Sequence, residues 1–362
     1  MSSTASALAT WAITRALVAF TALAALSLFP IATPCGASCH LSTVPLLDAA
    51  SRWDGGWYLG IAREGYGHAE GAQTDFAFFP LYPALMRAIG MLGGSSDDAY
   101  LAAGVLVSNA ALLVAVIVLG RLVTVDHEAT IAAASVALLL VFPTTVIFSA
   151  VYAESLFLLC AVATLYFART GRPTAAGVTA AFAALTRPFG VLIAVPLAFE
   201  LAAQRRRDLA GTLSVAVPVA AFLVWMAVLW RMTGDPLAFF SAQAAYGRTA
   251  TVPLQAFTDL FDPAAYGNPL FIVAFGGLVA ILVALSWRSP RTSLAVYGTV
   301  FLLAALSSGT LTSLLRYALA IFPAFVVLAT VRSPWVRRIY LVGASVSAVL
   351  FSAMFALWYW IG

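Results

Sequence analysis

Residues 51–66 combine a carboxylate with flat aromatic side chains and glycines. The residues around Asp54 are Trp53, Gly55, Gly56, Trp57 and Tyr58. Indole and phenol rings stack on the CH faces of a sugar, and a carboxylate beside them can take a proton from an attacking hydroxyl group. This pattern favours sugar chemistry with Asp54 as the general base. The residue types alone leave an alternative equally open, in which the rings form an aromatic belt at a membrane surface and Asp54 pairs with Arg52.

The rest of the chain has the composition of a protein that crosses a lipid bilayer. Of its 362 residues, 62% are hydrophobic and 9% are charged; a soluble domain has roughly 25% charged residues. The mean hydropathy is +0.97. Apolar runs close to the ~20 residues that span the hydrocarbon core recur along the whole chain. We therefore expect one all-α membrane domain, residues 1–362, with about 11 transmembrane helices.

The predicted spans follow these apolar runs. They lie at residues 11–31, 101–123, 129–150, 152–168, 174–187, 189–204, 211–231, 269–287, 293–309, 317–331 and 339–361. Trp11–Ile31 is long and lacks a clear cleavage signature, so we expect a first anchor and not a removed signal peptide. Phe76–Leu92 is short and carries Pro80 and Pro83, which break helical hydrogen bonding. We expect a re-entrant or interfacial element there; a full span is the alternative, and it would move residues 32–75 to the cytoplasm.

The distribution of charge orients this bundle. With the N-terminus inside, most arginines fall on the cytoplasmic side and most acids on the other, as the positive-inside rule requires. Two long loops, residues 33–100 and 233–268, then face outward, and the first carries Asp54. The net charge of +4 is thus a topology signal, and we expect no nucleic-acid partner. An arginine- and alanine-rich chain without lysine is typical of a GC-rich genome. That favours the bacterial cytoplasmic membrane with an outward-facing site; in a eukaryote the site would face the ER lumen.

The sequence gives little indication of a metal site. Structural zinc takes four ligands, and His40 beside Cys35 and Cys39 is too little for one. The two cysteines either form a disulfide in an oxidising compartment or stay unpaired. The pair Asp97-Asp98 precedes an apolar run, where capping of a helix explains it. No Asp-x-Asp triplet of the kind that holds the metal of a nucleotide-sugar donor occurs. We expect no metal and no other cofactor.

The order of residues in the first loop resembles one family closely. Arg52-Trp53-Asp54, then Ile61-Ala62 before Gly65-Tyr66, then Ala77-Phe78-Phe79-Pro80-Leu81-Tyr82-Pro83 is similar to the PIG-V family of mannosyltransferases, members of the C-type (GT-C) glycosyltransferase superfamily. Further similar blocks are Tyr152-Ala153-Glu154-Ser155, Thr186-Arg187-Pro188-Phe189-Gly190 and, more weakly, Arg316-Tyr317. The likeness extends over most of the chain. Family members often have Glu-His before Gly-Tyr where this chain has Arg63-Glu64, so no role is transferred to position 63.

The resemblance implies an inverting transfer of mannose from a polyprenyl- or dolichyl-phosphate donor to a lipid-linked or glycolipid acceptor, with a catalytic Asp in the first loop. Asp54 is the matching residue. Arginine is the natural clamp for the donor phosphate, and the candidates are Arg316, Arg187 and Arg52. Candidate substrate-binding residues are Trp53, Trp57, Tyr58, Glu64, Tyr66, Phe79, Tyr82, Tyr152 and Glu154. For Arg316 and Arg187, snorkelling to the membrane surface is an equal alternative, and Glu154 could instead be a carboxylate favoured at a helix N-terminus.

A function of another class remains open. A secondary transporter would show internal repeats and broken helices paired across two halves, and the sequence shows no such symmetry. A flippase for lipid-linked sugars is a further alternative. An enzyme is favoured over both because the chemistry-bearing residues concentrate in one loop near one end of the chain.

Overall fold

The computed structural model describes residues 3–32, 40–206, 208–249, 251–253, 257, 269–289 and 291–361. The α-helices are α1 (Ser3–Leu28), α2 (Pro45–Ala50), α3 (Asp54–Glu64), α4 (Leu81–Leu92), α5 (Asp97–Val123), α6 (Ala129–Leu140), α7 (Glu154–Arg169), α8 (Pro173–Ala184), α9 (Ala194–Ala203), α10 (Leu209–Thr233), α11 (Ala238–Ala245), α12 (Pro269–Phe271), α13 (Gly277–Ser286), α14 (Thr292–Leu306), α15 (Leu314–Ala318), α16 (Phe322–Thr330) and α17 (Pro334–Ala356). A small hairpin pairs β1 (Ala69–Glu70) with β2 (Gln73–Thr74). Short 3₁₀ helices lie at Asp75–Ala77, Thr145–Phe148 and Pro188–Ile193, and a π-helical turn at Ile272–Gly276 joins α12 to α13.

Five helices of the described chain are long and apolar enough to cross a bilayer. They are α1, α5, α10, the continuous helix Pro269–Ser286 and α17. Shorter apolar helices lie at Leu81–Leu92, Ala129–Leu140, Pro173–Ala184, Pro188–Ala203 and Thr292–Leu306. The prediction of an all-α membrane protein is confirmed, and each predicted span overlaps a helix. The number of about 11 spans stays a prediction.

Proline explains why several apolar runs are shorter as helices than as sequence. It removes a backbone donor and clashes with the preceding turn. The run at 129–150 contains Pro143, and its helix ends at Leu140 before a 3₁₀ turn. Pro188 lies between the predicted spans at 174–187 and 189–204, and a 3₁₀ helix there separates α8 from α9. The first of these turns places the buried polar side chains Thr144 and Thr145 inside the bundle.

The first loop is an ordered structure in its described part, residues 40–100. It contains α2, α3, the hairpin and α4. Helix α4 turns Tyr82, Met86 and Gly90 toward the bundle. Its 12 residues extend about 18 Å at 1.5 Å per residue, less than the ~30 Å of the hydrocarbon core. The re-entrant or interfacial position of this segment stays a prediction. Cys35 and Cys39 lie outside the described residues, as does much of the second loop.

The first loop, the start of α7, the turn after α8 and α15 meet at one end of the bundle, here named the loop end. Backbone hydrogen bonds join them: Val151 N donates to Ala50 O at 2.8 Å and Leu81 N to Leu185 O at 3.0 Å. Helix α15 is fixed because Thr144 Oγ1 donates to Leu315 O at 2.9 Å. Segments far apart in sequence thus place their side chains around one point.

A cluster of ion pairs closes the opposite end. Arg169, at the end of α7, pairs with Asp126 and with Glu200, whose Oε1 lies 3.4 Å from Arg169 Nε. Arg291 also contacts Asp126, with Nη2–Oδ1 at 2.7 Å. Ser293 donates a hydrogen bond to Glu200. The cluster therefore joins the ends of α5, α7, α9 and α14, so it serves the packing of the bundle.

Candidate active site

Asp54 occupies the first position of helix α3. A carboxylate there is stabilised by the unpaired N–H groups and dipole of the helix N-terminus. The chain turns into α3 through Trp53, whose φ of 58° and ψ of −112° are unusual for a residue with a side chain. Such a conformation costs on the order of 1–3 kcal/mol and persists only where packing enforces it. Here the Trp53 ring lies against Trp358 and Trp360, with centroids 5.5 and 5.2 Å away.

Four charged side chains form an alternating chain at the loop end. Arg316 Nη1 lies 2.7 Å from Asp54 Oδ2, and Arg316 Nε donates to Glu154. Arg187 Nη1 lies 3.1 Å from the same oxygen of Glu154. Glu154 is 1% exposed and Arg316 4%. Buried charges are retained only where they are paired, and each carboxylate here has an arginine.

Tyr152 supports both ends of this chain. The Arg316 guanidinium lies 4.6 Å from the centroid of the Tyr152 ring, an attractive cation–π geometry. The Tyr152 hydroxyl donates to Arg52 O and accepts from Asp54 N, each at 3.2 Å. It thereby fixes the backbone at the start of α3 and the guanidinium that faces the Asp54 carboxylate.

The backbone at Arg187 is set by its neighbours in sequence. A residue before proline is held in an extended conformation, and Arg187, which precedes Pro188, has φ −152° and ψ 154°. Gly190 follows because the chain passes very close to α8: a Cβ on Gly190 would lie 1.9 Å from Ala183 O. The Thr-Arg-Pro-Phe-Gly block thus sets the backbone so that the Arg187 side chain reaches Glu154.

A cavity of about 90 Å³ opens beside Asp54. Its lining includes polar residues of several segments: Asp54, Tyr58, Thr186, Arg187, Gln243, Tyr246, Arg248, Thr249, Ser307, Ser308, Arg316 and Tyr317. Aromatic rings of Phe78, Phe79, Phe189, Phe239 and Phe240 complete it. Burial, with the charges of Glu154 and Asp54, raises the pKa of Tyr58, so its hydroxyl stays protonated. The cavity thus offers one accessible carboxylate, arginines, a hydroxyl donor and flat rings.

The mannosyltransferase (PIG-V) family model matches residues 22–256 of this sequence, more than half of the chain. The chain belongs to this family. The match includes the Asp54 block, Glu154, Arg187 and Arg248. A comparison with curated proteins finds no match. The family match confirms the PIG-V resemblance that the first-loop motif indicated.

A solved structure shares the fold of this chain. ArnT from Cupriavidus metallidurans, in a crystal structure with undecaprenyl phosphate, superposes with a TM-score of 0.55 at 15% identity, over 92% of this chain and 62% of ArnT. The Archaeoglobus fulgidus oligosaccharyltransferase with a tethered acceptor peptide gives a TM-score of 0.48 at 12% identity, over 95% of this chain and 55% of that one. This PIG-V family chain thus spans less than two thirds of either protein. Family and fold together support a membrane glycosyltransferase.

Several of the residues predicted from the sequence lie at the cavity of this family member. Asp54, Arg187, Arg316, Tyr58 and Phe79 line it. Glu154 lies behind Arg316 and Arg187 and Tyr152 beneath Arg316, and neither is among the lining residues of the described chain. Glu154 therefore holds Arg316 and Arg187 in position, and Tyr152 holds Arg316.

Three other predicted residues support the cavity wall. Trp57 packs against Phe78 and Tyr246, with centroids 6.0 and 5.9 Å away. The Tyr66 hydroxyl donates to Phe78 O at 2.9 Å. Tyr82 donates to Gly104 O at 2.9 Å and is fully buried. Trp57 and Tyr66 thus contact residues that line the cavity, and the Tyr82 ring packs against the lining residue Tyr58 with centroids 4.8 Å apart.

The remaining predicted residues point elsewhere. Arg52 Nη2 pairs with Asp48 Oδ2 at 2.8 Å, and its Nε donates to Ala356 O at 3.1 Å. The alternative in which Asp54 pairs with Arg52 is wrong, because the partner of Asp54 is Arg316. Trp53 packs on the C-terminal tryptophans. Glu64 pairs with Arg63 at 2.7 Å and is 58% exposed. None of these three lines the described cavity.

Sequence reasoning missed the contribution of the second loop. Helix α11 brings Gln243 and Tyr246 onto the first loop, where they donate to Ala77 O at 3.1 Å and Thr74 O at 3.4 Å. Arg248 follows and reaches the cavity. The available signal was the length of the loop, since long loops in compact domains are usually functional or disordered, together with the Tyr246-Gly247-Arg248 cluster.

Proposed function

We propose that this chain is an inverting mannosyltransferase that moves mannose from a polyprenyl- or dolichyl-phosphate donor to a hydroxyl group of a lipid-linked or glycolipid acceptor. The observation that carries the proposal is that Asp54 lines one cavity together with Arg187, Arg248 and Arg316. A base and a cluster of cations are the two parts that such a transfer needs. Family membership supports mannose as the sugar. The undecaprenyl phosphate bound to ArnT supports a lipid phosphate as the leaving group.

The proposed reaction is a single displacement at the anomeric carbon. The acceptor hydroxyl oxygen attacks this carbon while the bond to the phosphate oxygen breaks, and Asp54 takes the hydroxyl proton. Arg316 engages Asp54 Oδ2, which leaves Oδ1 to receive the proton. The lipid phosphate departs as a stable anion, so no general acid is required. Arginine at the cavity stabilises the charge that develops on it.

The proposed location is the bacterial cytoplasmic membrane, with the loop end outside. The positive-inside distribution of arginine supports this orientation. The cavity rings give a partly apolar entrance, which suits a donor and an acceptor that both approach from the bilayer. We propose that no metal or other cofactor takes part, since a lipid-phosphate donor carries no nucleotide diphosphate for a metal to hold.

Transfer by the purified protein tests the proposal. Wild-type protein in nanodiscs with radiolabelled polyprenyl-phosphate-mannose and a lipid extract as acceptor should yield a mannosylated product of inverted anomeric configuration. Asp54→Asn should lower the rate about 10²- to 10⁴-fold in protein that is still folded at the assay temperature, with some loss of melting temperature because Arg316 loses one of its two carboxylates. Asp97→Asn is the matched control, because Asp97 is an exposed carboxylate of the first loop. Substrate uptake into liposomes without a covalent product would overturn the enzyme and favour a transporter.

A further inference from the structure

The cavity contains more positive than negative charge. Two of its arginines are committed to carboxylates: Arg316 to Asp54 and Glu154, and Arg187 to Glu154. Arg248 is the third arginine of the lining. Among the described residues it makes no ion pair, because its contacts are with neutral groups. The excess charge of the cavity is therefore located on the second loop.

The contacts of Arg248 are hydrogen bonds that an anion can join or replace. Nη1 donates to Gln243 Oε1 at 3.1 Å, and Nη2 donates to Ser313 Oγ at 3.0 Å. Its guanidinium also lies 5.8 Å from the centroid of the Tyr317 ring, which Arg187 approaches to 5.0 Å. Because these partners are neutral oxygens, they do not compensate the charge of the guanidinium. Its planar fork matches the geometry of a phosphate.

The backbone around Arg248 is fixed by the loop before α15. Thr251 N donates to Ser307 O at 3.1 Å. Gly309 has a φ of +78°, and a Cβ on it would lie 2.7 Å from Thr249 O. This close approach requires glycine. Arg248 is thus presented to the cavity by a defined contact between two loops, and Ser307 and Ser308 of the same loop also line the cavity.

We propose that Arg248 is the residue that binds the phosphate of the lipid-linked donor, while Arg316 and Arg187 serve to hold the carboxylates. This assignment rests on the proposed function. A phosphate diester carries one negative charge, which matches the excess of one cation at the cavity. When the sugar–phosphate bond breaks, the second charge develops on oxygens beside a guanidinium that has no carboxylate to compete for it. Arg248 itself undergoes no covalent change.

The assignment differs from the expectation drawn from the sequence, in which Arg316, Arg187 and Arg52 are the candidates for the donor phosphate. Moving a phosphate onto Arg316 would take that guanidinium from Asp54 and Glu154 and leave buried carboxylates without their partner, which is costly. Binding at Arg248 displaces only an amide and a hydroxyl oxygen. The energetic difference favours the second loop as the phosphate ligand and leaves the base in place.

Direct binding of the leaving group tests this without any transfer. The probe is polyprenyl phosphate, measured by the quench of intrinsic fluorescence or by thermal stabilisation of the protein in nanodiscs, with the corresponding polyprenol as a probe that lacks phosphate. Arg248→Gln should weaken polyprenyl phosphate binding about 10- to 100-fold, the loss expected for a charge-assisted hydrogen bond. Polyprenol binding should not change. Arg248→Lys should recover part of the loss, because it keeps the charge and loses the fork geometry.

Arg231→Gln is the matched control. Arg231 lies at the end of α10 and is exposed, so removal of its charge should leave binding as in wild type. If Arg248→Gln does not fold, Ser313→Ala gives the test by another route. It frees Arg248 Nη2, so the phosphate no longer has to displace the Ser313 hydroxyl, and polyprenyl phosphate should bind more tightly while polyprenol binding stays unchanged. Unchanged or weaker phosphate binding would count against the assignment. Equal loss for Arg231→Gln and Arg248→Gln would show a general surface charge effect and overturn the assignment.

Kinetics separate failure of this inference from failure of the proposed function. If wild type transfers mannose and Arg248→Gln shows an unchanged donor KM and unchanged polyprenyl phosphate binding, Arg248 is not the phosphate ligand and the function stands. If wild type transfers no sugar but binds polyprenyl phosphate in an Arg248-dependent manner, the site stands and the mannosyl transfer falls. A wild type that does not bind polyprenyl phosphate overturns the inference.

Discussion

Arg316 and Asp54 form an ion pair in the wall of the cavity, with Nη1 2.7 Å from Oδ2. The two residues come from opposite parts of the chain, α15 and α3, and each helix is otherwise held by its own contacts. Because the same guanidinium also binds Glu154, the position of the proposed base depends on a residue from a distant part of the sequence. The site is therefore a product of the tertiary fold, although its base was visible in the sequence.

Removal of Arg316 should destabilise the protein. Arg316→Gln leaves Asp54 without its arginine and Glu154 with Arg187 alone, and breaking a buried pair costs about 3–5 kcal/mol. Arg316→Lys should be intermediate, since it retains charge but cannot contact both carboxylates as a fork. The measurement is thermal unfolding in detergent, followed by intrinsic fluorescence.

A double mutant shows whether this loss comes from the pair. In Arg316→Gln/Glu154→Gln, both charges are removed, so the combined loss should be smaller than the sum of the single losses. Strictly additive losses would mean that the contact between Arg316 and Glu154 contributes nothing. Arg231→Gln, at an exposed position of α10, is the charge-removal control.

The hydroxyl of Tyr152 should matter for turnover more than for substrate affinity. Tyr152→Phe removes the hydrogen bond that fixes Asp54 N and keeps the ring beneath Arg316. A single hydrogen bond contributes about 0.5–1.5 kcal/mol, or roughly 2- to 10-fold, and we expect kcat to fall by that amount with little change in KM. Tyr152→Leu also removes the ring and should lower kcat further. Tyr359→Phe, at an exposed tyrosine, is the control; an equal drop in both phenylalanine variants would contradict the role of Tyr152.

How far the sequence predicted this site depended on whether the signal was local. Asp54 and its aromatic neighbours form one continuous block, and family resemblance identified Glu154, Arg187 and Arg316. Arg52 shows the limit: it is two positions from Asp54 in sequence, but it pairs with Asp48 of α2. Adjacency does not predict a partner where the backbone reverses, as it does at Trp53.

The fold was predictable to a similar degree. Apolar runs predict where membrane helices lie, because each must bury an apolar surface of sufficient length. They do not predict which polar groups are buried inside the bundle, such as Thr144, whose hydroxyl donates to Leu315 O. Arg248 was missed for the same reason: its role depends on contacts with Ser313 and Tyr317, which no pattern within the second loop encodes.

Stability at low pH should depend on Asp126, at the opposite end of the bundle. Burial raises the pKa of this carboxyl, but hydrogen bonds and charge from Arg291 and Arg169 outweigh it, so the pKa is lowered overall. A lowered pKa contributes stability that is complete above the unfolded value, about 3.9 for Asp, and is lost as pH falls through the folded value. The free energy of unfolding should therefore fall below about pH 4.

Asp126→Asn identifies the source of that acid sensitivity. The variant should be less stable than wild type at neutral pH and should lose less stability on acidification, because the titrating group is gone. Asp208→Asn, at an exposed carboxylate, should keep the wild-type dependence on pH. A parallel pH profile for Asp126→Asn and wild type would exclude Asp126 as the source.

Activity should survive chelation. The described residues contain no group of three His, Cys, Asp or Glu side chains placed to hold a metal ion, and the proposed donor needs none. Transfer measured in excess EDTA, after dialysis, should match the untreated protein. A loss that added Mg²⁺ or Mn²⁺ restores would show that a metal takes part and would require a different account of the leaving group.

Gly190 should be essential for both packing and activity. A Cβ there would lie 1.9 Å from Ala183 O and 2.6 Å from Ala183 C, so Gly190→Ala must push the 3₁₀ helix Pro188–Ile193 away from α8. Overpacking of this kind costs about 1–3 kcal/mol or more. The shift also moves Arg187, which begins this segment, so transfer should fall more than stability explains. Gly343→Ala is the control: no atom lies within 4 Å of the added Cβ, and alanine favours a helix interior by up to about 1 kcal/mol. A Gly190→Ala variant with normal melting temperature and transfer rate would show that the turn can relax, and that the position of Arg187 does not depend on it.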